Sequence, residues 1–367
     1  MFEGDDSALT LGEIHNQSRS CQSTVQRAGA LLRVFEKLLP LDQYTDVVIT
    51  GCGSSHNLAA CASFAWSELL GRPVMAVAAS ELAHFPEHYL RSDARPLIIA
   101  ISRSGETTEV SLAVERLRGD YRARALAITG EAGGSVAAAC DAEIAFPECR
   151  EASVVMTQAF TCMLAGLYLL ADGASGNKRA SEIQQIPSLI SDYLGSSEEI
   201  FRAISGDATI QRFFFLGSGM MKGLADECAL KMTEMALETA FAYQSLEFRH
   251  GPKAVLNSRD YLVIFPVDAE RQHLATLIEE IEATGARSVV ITSPDARIDG
   301  GFKNEEGQPV TFSSNHRVLP IASGLSEIFR PALYAHTGQL LAYWRADARG
   351  LNPDAPPHLD RTVLLTV

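Results

Sequence analysis

The chain has 367 residues, 47% of them hydrophobic, which is enough for two domains that each bury a core. Its formal net charge of −14 argues against nucleic acid or an anionic membrane as partner, and no run approaches the roughly 18 consecutive apolar residues of a membrane helix. Seven scattered cysteines without a Cys-x-x-Cys pair read as buried thiols, not as a disulfide framework or a zinc site, and no cluster has metal-ligand spacing.

The chain opens on Met1-Phe2-Glu3-Gly4-Asp5-Asp6, acidic where a signal peptide is basic, so a cytoplasmic location is expected. Leu9 to Gln22 reads as a helix packing on the fold or on a second subunit. Strand-like apolar runs then alternate with helical spacing: Asp46 to Thr50, Val74 to Ala78, Leu97 to Ser102, Ala125 to Thr129 and Ala142 to Phe146. A helical stretch from Gln158 to Ile204 leads into a second set: Arg212 to Leu216, Tyr261 to Pro266, Ser288 to Thr292 and Arg317 to Pro320. Such alternation predicts parallel sheets with helices on both faces.

The two halves also repeat in sequence. Val47-Val48-Ile49-Thr50-Gly51-Cys52-Gly53-Ser54-Ser55 and Phe213-Phe214-Phe215-Leu216-Gly217-Ser218-Gly219-Met220-Met221 are each a strand running into Gly-x-Gly and a helix. The fold class is therefore α/β, with two tandem doubly wound parallel-sheet units. The copies diverge at the next strand end. The first reads Ile101-Ser102-Arg103-Ser104-Gly105-Glu106-Thr107-Thr108, hydroxyls around a glycine at the start of the helix from Val110 to Leu117. The second reads Phe265-Pro266-Val267-Asp268-Ala269-Glu270, with two acids instead.

Hydroxyls converging on the free N–H groups of a helix start suit a phosphate, whereas a plain helix cap by Ser104 needs only one of them. Ser54 and Ser55, at a neighbouring strand end, face the same phosphate or else cap a helix beginning near His56. In the second half, Leu224 to Leu237 is a helix with Lys231 and Glu234 on one face, and Glu247, Arg249 and His250 cluster before Gly251-Pro252. A carboxylate and an imidazole suit proton transfer on an open sugar. The plainer alternative is a surface ion pair worth about 0.3 kcal/mol and a loop histidine.

Four motifs, Gly51-Cys52-Gly53-Ser54-Ser55, Ile101 to Thr107, Ala229-Leu230-Lys231-Met232-Thr233-Glu234 and Glu247-Phe248-Arg249-His250-Gly251-Pro252, resemble the tandem sugar isomerase (SIS) domain family from about residue 40 onward. That family includes the isomerase domain of glucosamine-6-phosphate synthase and amino-sugar-phosphate deaminases and isomerases. The resemblance implies flavodoxin-like SIS domains at 31–175 and 195–345, a helical extension at 1–30, and a C-terminal loop at 346–367 closing on the active site. It assigns the substrate phosphate to Ser54, Ser55, Ser102, Arg103, Ser104 and Thr107, the C1/C2 proton transfer to Glu234 assisted by Lys231, and ring opening to His250. In the family that histidine completes the neighbouring subunit's site, so a homodimer is expected. Thr157, Glu247 and Arg361 are further candidate substrate contacts.

Two departures bear on the reaction. With only a few dozen residues before the first repeat, glutamine is not expected to supply nitrogen through an attached glutaminase domain. Arg361 aligns best with the family's Schiff-base lysine, and a guanidinium stays protonated and forms no imine. Met156 stands where the synthase has a serine, beside Thr157. The expected activity is thus an amino-sugar-6-phosphate deaminase/isomerase acting on a phosphorylated hexosamine or hexose, with no cofactor or metal. A tagatose-phosphate type of isomerase and a fructosamine-phosphate deglycase are alternatives, and a non-catalytic sugar-phosphate sensor is one from another class.

Overall fold

A computed structural model describes residues 9–292, 315–321 and 324–365; the acidic start at Met1 to Asp6 lies outside them. The chain divides into two compact units, one formed by the residues up to Ser191 with those from Asp354 on, the other by Asp192–Pro353. No helix among the described residues is long and apolar enough to cross a membrane.

The first unit begins with helices α1 (Leu9–Gln26) and α2 (Ala28–Phe35), then alternates β1 (Val47–Gly51), α3 (Ser54–Leu70), β2 (Met75–Ala78), α4 (Ala79–His84), β3 (Leu97–Ser102), α5 (Thr108–Tyr121), β4 (Arg124–Thr129), α6 (Ser135–Ala139) and β5 (Ala142–Ala145), followed by α7 (Gln158–Ser175) and α8 (Ala180–Ile183). All strands pair in parallel in the order β2-β1-β3-β4-β5. β3 is central and every one of its residues is buried, which is why it reads as an unbroken apolar run and not as an alternation. Every second residue of the inner strands, Val48, Ile98, Ala100, Ala125 and Ala127, packs on Leu82, Val110, Val114 and Leu117 of α4 and α5. Away from that layer, the Trp66 indole of α3 donates to the Leu167 carbonyl of α7 at 3.0 Å.

α9 (Ile186–Ser205) carries the chain into the second unit, which contains β6 (Arg212–Gly217), α10 (Met220–Ala236), β7 (Ala240–Tyr243), β8 (Asp260–Phe265), α11 (Arg271–Glu282), β9 (Arg287–Thr292), β10 (His316–Pro320), α12 (Arg330–Tyr334) and α13 (His336–Ala348). Its sheet runs β10-β9-β8-β6-β7, again parallel. Numbered within each unit, both sheets have the order 2-1-3-4-5, the doubly wound arrangement expected from the alternation.

One strand escapes the sequence reading, which predicts four in this unit. β7 is a four-residue edge strand, half-buried throughout, that starts shortly after α10 ends with Leu237 in the left-handed region at φ 51°. Its apolar character lies in Phe241, stacked on Phe214 at 5.2 Å between centroids, and is too brief to stand out from the helix before it.

The Gly-x-Gly repeat is also a repeat of conformation. Gly53 precedes α3 at φ 54°, ψ −126°, and Gly219 precedes α10 at φ 56°, ψ −129°, a region closed to side-chain-bearing residues. A methyl group on Gly51 would lie 2.7 Å from Ser55 Cβ, and one on Gly217 2.3 Å from the Met221 carbonyl oxygen. The first glycine in each pair lets the helix start close over its strand; the second supplies the turn.

Candidate active site

The carboxyl end of β3 carries the hydroxyl-rich loop. Ser102 is its hub: the hydroxyl lies 2.8 Å from the Thr107 hydroxyl and 3.5 Å from that of Ser104, and accepts the Gly105 N–H at 3.1 Å. Gly105 sits at φ 75°, and a Cβ there would come within 3.0 Å of the Glu131 carbonyl oxygen. The cap of α5 is Thr107, not Ser104, and its side chain makes no capping bond. Three hydroxyls thus gather at a helix start without being consumed by capping it. α3 likewise begins at Ser54, two residues before the predicted start near His56, so Ser54 and Ser55 form its first turn and neither is its cap. Both are buried.

In the second unit the same positions hold Met220 and Met221, and the loop after β8 is a short 3-10 turn at Asp268–Glu270, with the Asp268 carboxylate paired to Arg271. The hydroxyl-rich turn of the first unit is not repeated at that strand end.

The remaining first-unit residues organise around a carboxylate that sequence reading missed. Glu151, 2% exposed, accepts through Oε1 from the Thr157 N–H at 2.7 Å, the Thr157 hydroxyl at 3.1 Å and the Ala159 N–H at 3.0 Å, and so caps α7. Its Oε2 pairs with Arg103 Nη1 at 3.2 Å. Arg103 Nη2 donates to the Arg361 carbonyl at 3.1 Å, and the Arg361 guanidinium pairs with Glu131 at 2.8 Å. Of the residues expected to touch substrate, Thr157 therefore has its hydroxyl on Glu151, Arg103 spans Glu151 and the C-terminal segment, and Arg361 lies on Glu131. The same segment caps α1, where the Asp354 carboxylate accepts the Thr10 N–H at 2.7 Å. Burial first, then the neighbouring Glu109 charge, pushes the thiol of Cys52, between Gly51 and Gly53, up to about 11, which favours the protonated form.

In the second unit, Lys231 and Glu234 lie on one face of α10 as the spacing predicts, but they are no surface pair. Lys231 is 1% exposed, with its ammonium in contact with Glu234 Oε2 and 3.5 Å from Glu227 Oε1. A lysine held between two carboxylates can stay charged without solvent, and losing one partner of such a pair costs about 3–5 kcal/mol. The Glu234 side chain keeps 20% exposure, so one carboxylate of the three-charge cluster reaches the surface. Glu227 stands one turn before Lys231, a spacing that can be read from sequence.

His250 ends a 3-10 turn at Glu247–Arg249. The loop is anchored on both sides: Phe248 is buried against Phe214 and Tyr243, and Arg249 and Lys253 both pair with Glu280 of α11, at 2.9 and 2.7 Å. The imidazole is exposed and, among the described residues, has no hydrogen-bond partner. Glu247 is exposed beside it.

The SIS domain family matches this chain over residues 41–172 and 208–299. The chain is 30% identical, over 96% of its length, to the glutamine–fructose-6-phosphate aminotransferase (isomerizing) of Gloeobacter violaceus, and covers 58% of that protein. It spans just over half the length of the curated relatives it matches. Among solved structures, a glucosamine-6-phosphate deaminase from Thermotoga maritima is 31% identical, with a TM-score of 0.76 over 97% of this chain and 99% of that one. A tagatose-6-phosphate ketose/aldose isomerase from Escherichia coli shares the fold, with a TM-score of 0.78 over 94% of each chain at 23% identity.

Proposed function

This chain belongs to the SIS domain family, and on that premise we propose that it is a phosphosugar isomerase of the deaminating kind, converting a glucosamine-6-phosphate-like substrate to a ketose 6-phosphate and ammonia. The observation that carries the reading is the buried Lys231 cluster, which presents a single carboxylate, Glu234, at the surface of its unit. The Ser102–Thr107 loop, with Ser54 and Ser55, takes the phosphate through hydroxyls and backbone N–H groups. His250 opens the sugar ring. Glu234 then removes the proton from C2 of the open-chain amino aldehyde and returns one to C1, while a second proton passes from the nitrogen to O1, which leaves an imine at C2 and an alcohol at C1. Water adds to the imine and ammonia departs, giving the ketose.

No lysine imine is needed in this direction, in keeping with Arg361 at the tail, ion-paired to Glu131. The 31% identity to a deaminase structure over nearly its whole length supports the same choice. His250 is exposed on an anchored loop, which supports a homodimer in which it serves the neighbouring subunit's site. The test is ammonia release, followed enzymatically, from a panel of hexosamine 6-phosphates and ketose phosphates. Ammonia with stoichiometric ketose phosphate is expected from at least one hexosamine phosphate. Ketose–aldose interconversion without ammonia from any of them would identify a plain isomerase instead.

Ser102→Ala removes the hub of the phosphate loop. It is expected to raise KM for the phosphorylated substrate about tenfold and to leave kcat within about threefold, because the lost contacts are to a group that does not react. Steady-state kinetics on the variant check this.

A further inference from the structure

We infer that Glu151 is a positioning residue for the phosphate loop, acting through Arg103; the inference rests on the reading of Ser102 to Thr107 as the phosphate grip. Arg103 lies between the two serines of that loop, so whatever fixes Arg103 fixes both hydroxyls. Its guanidinium is only 12% exposed, and Nη1 and Nη2 are already engaged, with Glu151 and with the Arg361 carbonyl. So placed, the arginine acts as a brace through two of its five N–H donors. The carboxylate it meets is itself immobile: Glu151 Oε1 takes three donors from the start of α7, and the side chain has no solvent exposure.

The backbone at Arg103 and just after it is held as well. Its carbonyl accepts the Gly130 N–H at 3.0 Å, and the Gly105 carbonyl accepts the Val136 N–H at 2.9 Å. Glu151 thus ties the loop to the N-terminus of α7, and through Arg103 to the C-terminal segment. The hydroxyls are then in place before phosphate arrives, and binding does not have to order them. In this arrangement the positive end of α7 and the Arg103 charge balance one buried carboxylate.

Glu151→Gln keeps the side chain's size and an acceptor for the α7 amides, but offers Arg103 an amide in place of a charge. The expected result is a rise of about tenfold in KM for glucosamine 6-phosphate and in its Kd by calorimetry, with kcat within about threefold. Arg103→Gln should show the same shift, and the double variant should be no weaker than the weaker single one, because the two residues act as one unit. A purely structural role would lower the melting temperature without this split between KM and kcat. Unchanged KM in Glu151→Gln, or additive losses in the double variant, overturns the inference. Should Glu151→Gln not fold, Arg103→Gln decides alone, with an unchanged KM again overturning it. A wild-type protein that binds no glucosamine 6-phosphate would overturn the phosphate reading itself, and this inference with it.

Discussion

Glu234→Gln is expected to lower kcat by about a thousandfold or more while the Kd for the sugar phosphate stays within about threefold of wild type. The amide keeps the size of the carboxylate and its place beside Lys231, but it can neither accept nor return a proton. General acid–base catalysis contributes about 10²–10⁴-fold, and here the proposed chemistry places both proton transfers on one group. The phosphate contacts proposed above belong to the first unit, on Ser102, Ser104 and Thr107, so binding and turnover are expected to separate in such a variant. Calorimetry with glucosamine 6-phosphate beside a single-turnover assay reads both quantities; full turnover in the variant would remove Glu234 from the mechanism. A mixing experiment extends the test to His250. Glu234→Gln and His250→Asn chains, each inactive alone, should regain roughly a quarter of wild-type activity when randomly reassembled as dimers, if His250 serves the neighbouring subunit.

Gly338→Ala is expected to be strongly destabilising to the second unit. Gly338 of α13 faces Cys228 of α10, and a Cβ added there would lie 2.6 Å from the Cys228 Cα and Sγ and 2.7 Å from its Cβ. Backbone cannot swing aside as the end of a long side chain can, so the two helices have to separate. Overpacking of this kind costs about 1–3 kcal/mol or more. Cys228 stands between Glu227 and Lys231 on the same helix, so the displacement reaches the buried ion cluster, and the variant should lose activity along with stability. Gly195→Ala in α9 is the control. That glycine is exposed, nothing lies within 4 Å of the added methyl, and helix propensity favours alanine by about 1 kcal/mol. Thermal melts should show Gly338→Ala well below wild type and Gly195→Ala at or above it. Equal melting temperatures for the two would mean that the α10–α13 approach tolerates a methyl group.

The candidate site was legible one residue type at a time and hardly at all as a network. The Ser102 to Thr107 loop announced itself because hydroxyls crowd a glycine at a strand-to-helix turn, and the helical spacing of Lys231 and Glu234 placed them on one face. Spacing could not show that this face is covered, and the plainer alternative of a surface pair fails for that reason: Lys231 is buried with Glu227 as a second partner. Glu151 carried no signal, since its donors come from a helix start six and eight residues on, a distance no capping rule covers. Glu280 was equally silent, because its two cations belong to a loop about thirty residues away along the chain.

Order and spacing along the chain dictate the two parallel sheets, the repeated Gly-x-Gly turns and the asymmetry between the halves. Central parallel strands are buried on both faces and must be continuously apolar, and a backbone conformation such as those of Gly53 and Gly219 admits only glycine. These are local demands, and local demands leave marks in order and spacing. That Arg103 meets a buried carboxylate and the Arg361 carbonyl, that Thr157 turns inward to Glu151, and that Lys231 is enclosed follow from the packed fold instead. Each of these depends on which surfaces come to lie against one another. Close packing and the pairing of buried charges set that, and neither has a period along the chain.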